Sequence, residues 1–138
     1  MVTIDGPAGS GKGTISKLVS ETLDFHYLDS GAIYRIIAFK AKTKNLVSNQ
    51  ITEILKLIDG LNINFTDEKT FLGNKDITDL IRSELIGKFA SEIAKNKLLR
   101  EKILGLQKSF FKSPGLIADG RDMGTVVFPE AKVKIFLT

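Results

Sequence analysis

The chain predicts an α/β fold, a mostly parallel sheet flanked by helices with ligands at the carboxyl ends of its strands. Three observations carry that expectation. A glycine-rich stretch, residues 6–14, stands between an apolar run and a helical pattern. Short strand patterns then alternate with helical spacing along the chain. Finally, Gly6, Asp29, Asp119 and Arg121 all fall just where those strands end. With 138 residues, 43% of them hydrophobic and 26% charged, the chain can bury one core, as a single domain with an insertion.

The first strand is Val2-Thr3-Ile4. The loop Gly6-Pro7-Ala8-Gly9-Ser10-Gly11-Lys12-Gly13-Thr14 follows, and Ile15, Leu18, Val19, Thr22 and Leu23 then recur at helical spacing, so an amphipathic helix is expected from Ile15. Strand, glycine-rich loop and helix in this order mark a phosphate-binding loop, or P-loop. Glycines let backbone N–H groups converge without Cβ interference, the helix N-terminus contributes its positive dipole, and Lys12 can reach the β- and γ-phosphates. The loop departs from the strict pattern: Gly13 stands where Ser or Thr follows the lysine, and Thr14 comes one place later.

Residues 25–29 read as a second strand ending in Asp29, and Ser30-Gly31 opens a helix with Ile33, Ile36 and Ile37 on its apolar side. His26 stands alone in that strand pattern and is read as packing. A helix is expected over residues 50–58. Residues 61–65 alternate as a half-exposed strand, and Thr70-Phe71-Leu72 precedes a turn at Gly73-Asn74. Residues 60–80 therefore belong to an insertion of antiparallel character, placed at roughly 60–95 in all. Residues 77–111 return to helical spacing as two or three helices. Ser113-Pro114-Gly115 breaks them, Leu116-Ile117-Ala118 is a buried strand running into Asp119-Gly120-Arg121-Asp122, and residues 132–137 form the last strand. Asp119, after an apolar strand, has the position of an acid that holds Mg²⁺ through its waters.

Composition narrows the function. The absence of cysteine excludes disulfides, thiolate-bound zinc and a cysteine nucleophile, and fits a reducing, cytoplasmic setting. No signal segment opens the chain and no apolar run is long enough for a bilayer, so no membrane partner is expected. The net charge is +4, but the lysines are spread among apolar residues without aromatic interleaving, which argues against nucleic acid as a partner. Arginine is kept only at Arg35, Arg82, Arg100 and Arg121, where a bidentate fork for phosphate, carboxylate or a base edge would justify it. Asn74-Lys75-Asp76 lacks the spacer of a guanine-reading motif and serves the turn.

Three segments together, Ile4-Asp5-Gly6-Pro7 with Gly9-Ser10-Gly11-Lys12-Gly13-Thr14, then Leu28-Asp29-Ser30-Gly31-Ala32 with Tyr34-Arg35, then the run from Ile117 through Asp119-Gly120-Arg121-Asp122 to Pro129, closely resemble the bacterial cytidylate kinases. The Lys12-Gly13-Thr14 ending is typical of nucleoside monophosphate kinases. The resemblance implies a P-loop kinase core over residues 1–138, the 60–95 insertion binding the monophosphate, and transfer of the ATP γ-phosphoryl group to CMP or dCMP with Mg²⁺. It implies catalytic roles for Lys12, Asp119 and Arg121, and metal placement by Thr14 and Asp119. Arg35 and Arg121 would grip the acceptor phosphate, Ser30, Asp122 and Arg82 would line the acceptor site, and Ser91 and Arg100 would read cytosine. A hydroxyl and a guanidinium donating to O2 and N3 favour cytosine over uracil. A monomer is expected. Family members continue beyond this point through a mobile lid with further arginines, so the chain is expected to be incomplete at its C-terminus and, alone, to turn over slowly. The alternatives are a small P-loop kinase with another acceptor, or a truncated nucleotide-binding module.

Overall fold

Strands of two to five residues are too short to fold alone and must pair side by side in sheets. In the computed structural model, which describes residues 1–66 and 69–138, the elements run in chain order as follows: β1 (Val2–Asp5), α1 (Lys12–Leu23), β2 (His26–Asp29), α2 (Ser30–Thr43), α3 (Ile51–Ile58), β3 (Ile63–Thr66), β4 (Lys69–Leu72), β5 (Lys75–Asp76), a 3₁₀ turn (Leu80–Arg82), α4 (Glu84–Ile93), α5 (Lys97–Lys108), β6 (Leu116–Gly120), a π-helical turn (Met123–Val127) and β7 (Val133–Phe136). They form two compact units, residues 1–30 with 107–138, and residues 31–106.

The first unit holds the expected parallel sheet, in the order β2-β6-β1-β7. Its chain path reverses at β1, because β1 leads leftward to β2 whereas β6 leads across β1 to β7. That reversal is the switch point at which open parallel sheets bind ligands. β1 is buried at every residue, and Val2, Ile4 and Ile117 form a core that Val19, Phe25, Tyr27 and Leu137 flank.

Helix α1 departs from expectation twice. It starts at Lys12 and not at Ile15, because Gly11 adopts the left-handed conformation (φ 85°) and acts as the N-cap. Its buried residues are Ser16 and Ser20, while Ile15, Leu18 and Leu23 are 40%, 58% and 46% exposed. The π-helical turn was not expected either; in it Phe128 N–H donates to Met123 O at 2.7 Å and Val127 N–H to Asp122 O at 3.2 Å.

The second unit is mostly helical and carries a small antiparallel sheet, β3-β4-β5. The unit spans residues 31–106, and Asp67 and Glu68 lie outside the described residues. Ile33, Ile36, Ile37 and Ala41 give α2 a fully buried stripe. The stretch 77–111 resolves into the 3₁₀ turn, α4 and α5. Ser83 caps α4 by accepting from Ile86 N–H at 3.2 Å, with Glu84 in the first turn complementing the helix dipole. Asn96 Oδ1 accepts from Leu99 N–H at 3.0 Å at the start of α5.

Ser83→Ala leaves the Ile86 amide without that acceptor, and a loss of about 1 kcal/mol in unfolding free energy is expected. Urea titration followed by circular dichroism measures it; an unchanged midpoint would show that the cap contributes nothing.

Candidate active site

Parallel register sets the last residues of β1, β2 and β6 along one sheet edge. Asp29 stands opposite Asp119, and Asp5 opposite Gly120. The phosphate loop leaves from this edge. Gly6 N–H donates to Gly120 O at 3.1 Å, and Ser10 N–H to Pro7 O at 3.3 Å. At Gly6 a Cβ would lie 2.6 Å from Leu137 O, so only glycine fits against β7. Gly9 and Gly11 have φ of 79° and 85°, which L side chains rarely adopt. Gly11 provides no side-chain cap and the first turn of α1 has no acid, so no side chain of the helix competes for its first N–H groups. Pro7, Ala8 and Gly9 are exposed, and Lys12 is half-buried.

Asp119 is 4% exposed at the end of β6. Tyr27 O–H donates to its Oδ2 at 2.5 Å. Burial first, and then the facing Asp29 carboxylate, push Asp119 up to about 6, against the opposing effects of the Tyr27 hydrogen bond, the Lys12 charge and the nearby Ser16 hydroxyl. Burial and the same carboxylates hold the Tyr27 phenol far above its ordinary range, so it is a donor at any working pH. Ser16 Oγ and Ser10 Oγ are buried without a well-formed hydrogen bond.

The corner after β6 carries Arg121 and Asp122, both exposed. Partial burial, then the Asp5 charge, raise Asp122 above the usual carboxylate range. Asp5 itself is 6% exposed and its two oxygens accept from Met123 N–H at 2.8 Å and Gly124 N–H at 2.9 Å. Ser30, buried at the start of α2, has its hydroxyl against Gly120, where no Cβ could fit. A groove of about 440 Å³ beside the loop is lined by Gly6, Pro7, Arg121, Phe136 and Thr138.

Of the residues expected to serve the site, the loop 6–14, Ser30, Asp119, Arg121 and Asp122 belong to the first unit, and Arg35, Arg82, Ser91 and Arg100 to the second. Arg35 is half-buried, its Nη1 donating to Ile81 O at 2.8 Å and to Ser83 O at 3.5 Å, with its guanidinium filling the space that Gly87 leaves open. Arg82 is exposed, 3.8 Å from Asp79. Ser91 is exposed on α4, and Arg100 Nη1 donates to Ala94 O at 2.9 Å. Sequence reasoning missed Tyr27 and Asp5 as parts of the site. The only signal for Tyr27 is its place two residues before Asp29 in a strand, and for Asp5 an acid at the end of a strand, directly before the glycine-rich loop.

The residues present fit Mg²⁺ bound together with nucleotide. Thr14 and Asp119 are hard oxygen donors beside a phosphate loop, and the orphaned Ser16 hydroxyl near Asp119 has capacity for a water. No group of three His, Cys, Asp or Glu side chains able to hold a metal by itself occurs among the described residues. Mg²⁺ commonly takes one or two protein ligands and completes its shell with phosphates and waters.

Raised from 3.8 to about 6, Asp119 keeps a proton in the folded protein that the unfolded chain has lost. Its contribution therefore falls as pH rises from about 4 to about 6, by roughly 2–3 kcal/mol at most. In metal-chelating buffer, Asp119→Asn is expected to gain on the parent protein across that window and to hold its advantage above it. Denaturation midpoints at pH 4, 5, 6 and 7 test this; a difference constant over the series would contradict it.

No helix among the described residues is long and apolar enough to cross a membrane. The family model described as cytidylate kinase matches residues 2–138. The chain is 49% identical, over its whole length, to the cytidylate kinase of Nitrosomonas europaea, covering 62% of that protein. It is 47% identical to that of Burkholderia thailandensis and 46% to that of Polynucleobacter necessarius, again over its full length, covering 60% and 64% of them. It thus spans about 60% of the length of the curated relatives it matches. With an unbroken family match laid over a phosphate loop, a buried carboxylate and an arginine corner on one sheet edge, the chain belongs to the cytidylate kinase family.

Proposed function

We propose that the protein transfers the γ-phosphoryl group of ATP to CMP or dCMP. The observation that carries this reading is the family match over residues 2–138 on a chain whose phosphate loop opens beside Asp119. An oxygen of the acceptor's phosphate attacks the γ-phosphorus, the bond to the β–γ bridging oxygen breaks, and ADP leaves with that electron pair. The loop amides and Lys12 bind the donor phosphates and stabilise charge that spreads over them in transfer. Thr14 and Asp119 would hold Mg²⁺, partly through water, with Tyr27 orienting the Asp119 carboxylate toward that task, and the ion would supply charge neutralisation to the donor phosphates.

Arg35 and Arg121 grip the acceptor phosphate, with Ser30, Asp122 and Arg82 around it, and Ser91 and Arg100 donate to cytosine O2 and N3. Arg35 and Arg100 each spend one nitrogen on main-chain carbonyls. A guanidinium has five N–H groups, so each keeps donors for a ligand. The protein acts as a cytoplasmic monomer on small-molecule substrates, in keeping with a chain free of cysteine.

An assay of ADP release with CMP, dCMP, UMP and AMP as acceptors tests the proposal. CMP and dCMP are expected to be preferred; preference for another acceptor would reject the cytidine assignment, and nucleotide binding without transfer would leave a binding module. Lys12→Ala is expected to lower turnover by about a hundredfold or more with an unchanged melting temperature. Arg100→Ala is expected to lose roughly tenfold in CMP-over-UMP discrimination, about 1.4 kcal/mol. Unchanged discrimination would remove Arg100 from base reading.

A further inference from the structure

We propose that Asp5 is a positioning residue whose buried carboxylate fixes the Arg121–Asp122 corner against the phosphate loop, setting the alignment in which the phosphoryl group moves. The inference rests on the reading above. Its ground is a pair of anchors. On one side of the corner, Gly120 O accepts from Gly6 N–H at 3.1 Å. On the other, Met123 and Gly124 N–H donate to the Asp5 oxygens at 2.8 and 2.9 Å. Arg121 and Asp122 are the only residues between these anchors, and both anchors lead to the same junction, Asp5–Gly6, at which the phosphate loop begins.

Asp5 is held in turn. Its own carbonyl accepts from Leu137 N–H at 2.8 Å, and the residue is 6% exposed. The seam has no slack, since a Cβ on Gly124 would lie 2.8 Å from Thr3 Oγ1. The two N–H groups reach separate oxygens of the one side chain, Met123 to Oδ1 and Gly124 to Oδ2. A carboxylate supplies both, whereas an asparagine in the same place turns an N–H donor toward one of them. The consequence of losing the clasp is a corner free to shift relative to the loop, and small displacements of a charge-stabilising group are costly in rate.

Asp5→Asn tests this in the purified protein. Hydrogen exchange at the Met123 and Gly124 amides is expected to accelerate about tenfold or more, ATP-analogue affinity to stay within about threefold, and the single-turnover rate of CMP phosphorylation to fall by about a hundredfold. Gly124→Ala, which leaves Asp5 intact and crowds the Thr3 hydroxyl, is expected to reproduce the rate loss, and Thr3→Ala in that background to restore most of it. A rate within twofold of the parent despite faster exchange overturns the proposal. So does a parallel fall of melting temperature, nucleotide affinity and rate, which marks a purely structural residue. If Asp5→Asn does not fold, the Gly124→Ala pair decides, and failure of rescue by Thr3→Ala counts against the clasp. A parent protein that phosphorylates neither CMP nor dCMP rejects the functional reading, and the clasp's role in alignment with it; an active parent with an unaffected Asp5→Asn rejects the clasp alone.

Discussion

The parallel register of β1, β2 and β6 is the constraint on which the site depends. Parallel strands in register end together, and here they end in Asp5, Asp29 and Asp119-Gly120. Carbonyls and amides at such an edge have no further ladder partners, so they bind the loops that leave it: Gly6 donates to Gly120, and Leu137 to Asp5. A slip of one residue would turn the Asp119 side chain to the other face and detach the loop from its neighbours. The buried core of Val2, Ile4 and Ile117 opposes that slip, because each belongs to the face that would be lost.

The same register creates an electrostatic problem. Asp29 and Asp119 face each other across adjacent strands, Asp119 being buried, and like charges there favour a proton on one of them. Tyr27 and Lys12 act in the opposite sense, by a hydrogen bond and by charge. The free protein thus holds a carboxylate that gains from any cation brought to it. A site of this kind is less stable than an apolar edge would be, and the difference is recovered when a cation binds.

Much of this was legible in the residues. The loop 6–14 could be read because glycine, lysine and their spacing answer to backbone geometry and phosphate reach, both local matters. The parallel sheet could be read because its strands are short apolar runs separated by helical spacing. What escaped was decided by tertiary contacts. The start of α1 at Lys12 depends on Gly11 being left-handed, and the burial of Ser16 and Ser20 in place of Ile15 and Leu18 depends on which side of the helix meets the sheet. Likewise, no spacing rule links Tyr27 to Asp119 or Asp5 to Met123, since these pairs meet only when distant segments become neighbours. The π-helical turn forms where those amides are drawn to Asp5, a reason invisible in its own five residues.

The first unit is discontinuous: residues 1–30 supply β1, the loop and β2, and everything between them and residue 107 belongs to the second unit. This has a consequence in time. As the chain leaves the ribosome, β1 and β2 emerge early but have no partner, because β6 separates them in the sheet. Val2 must wait for Ile117, and Tyr27 for Asp119. The second unit, contiguous in sequence, can gather its contacts meanwhile, whereas closing the long loop that unites β1 with β6 comes late and at an entropic cost. The phosphate loop, synthesised well before β6, is therefore among the last parts to acquire its shape.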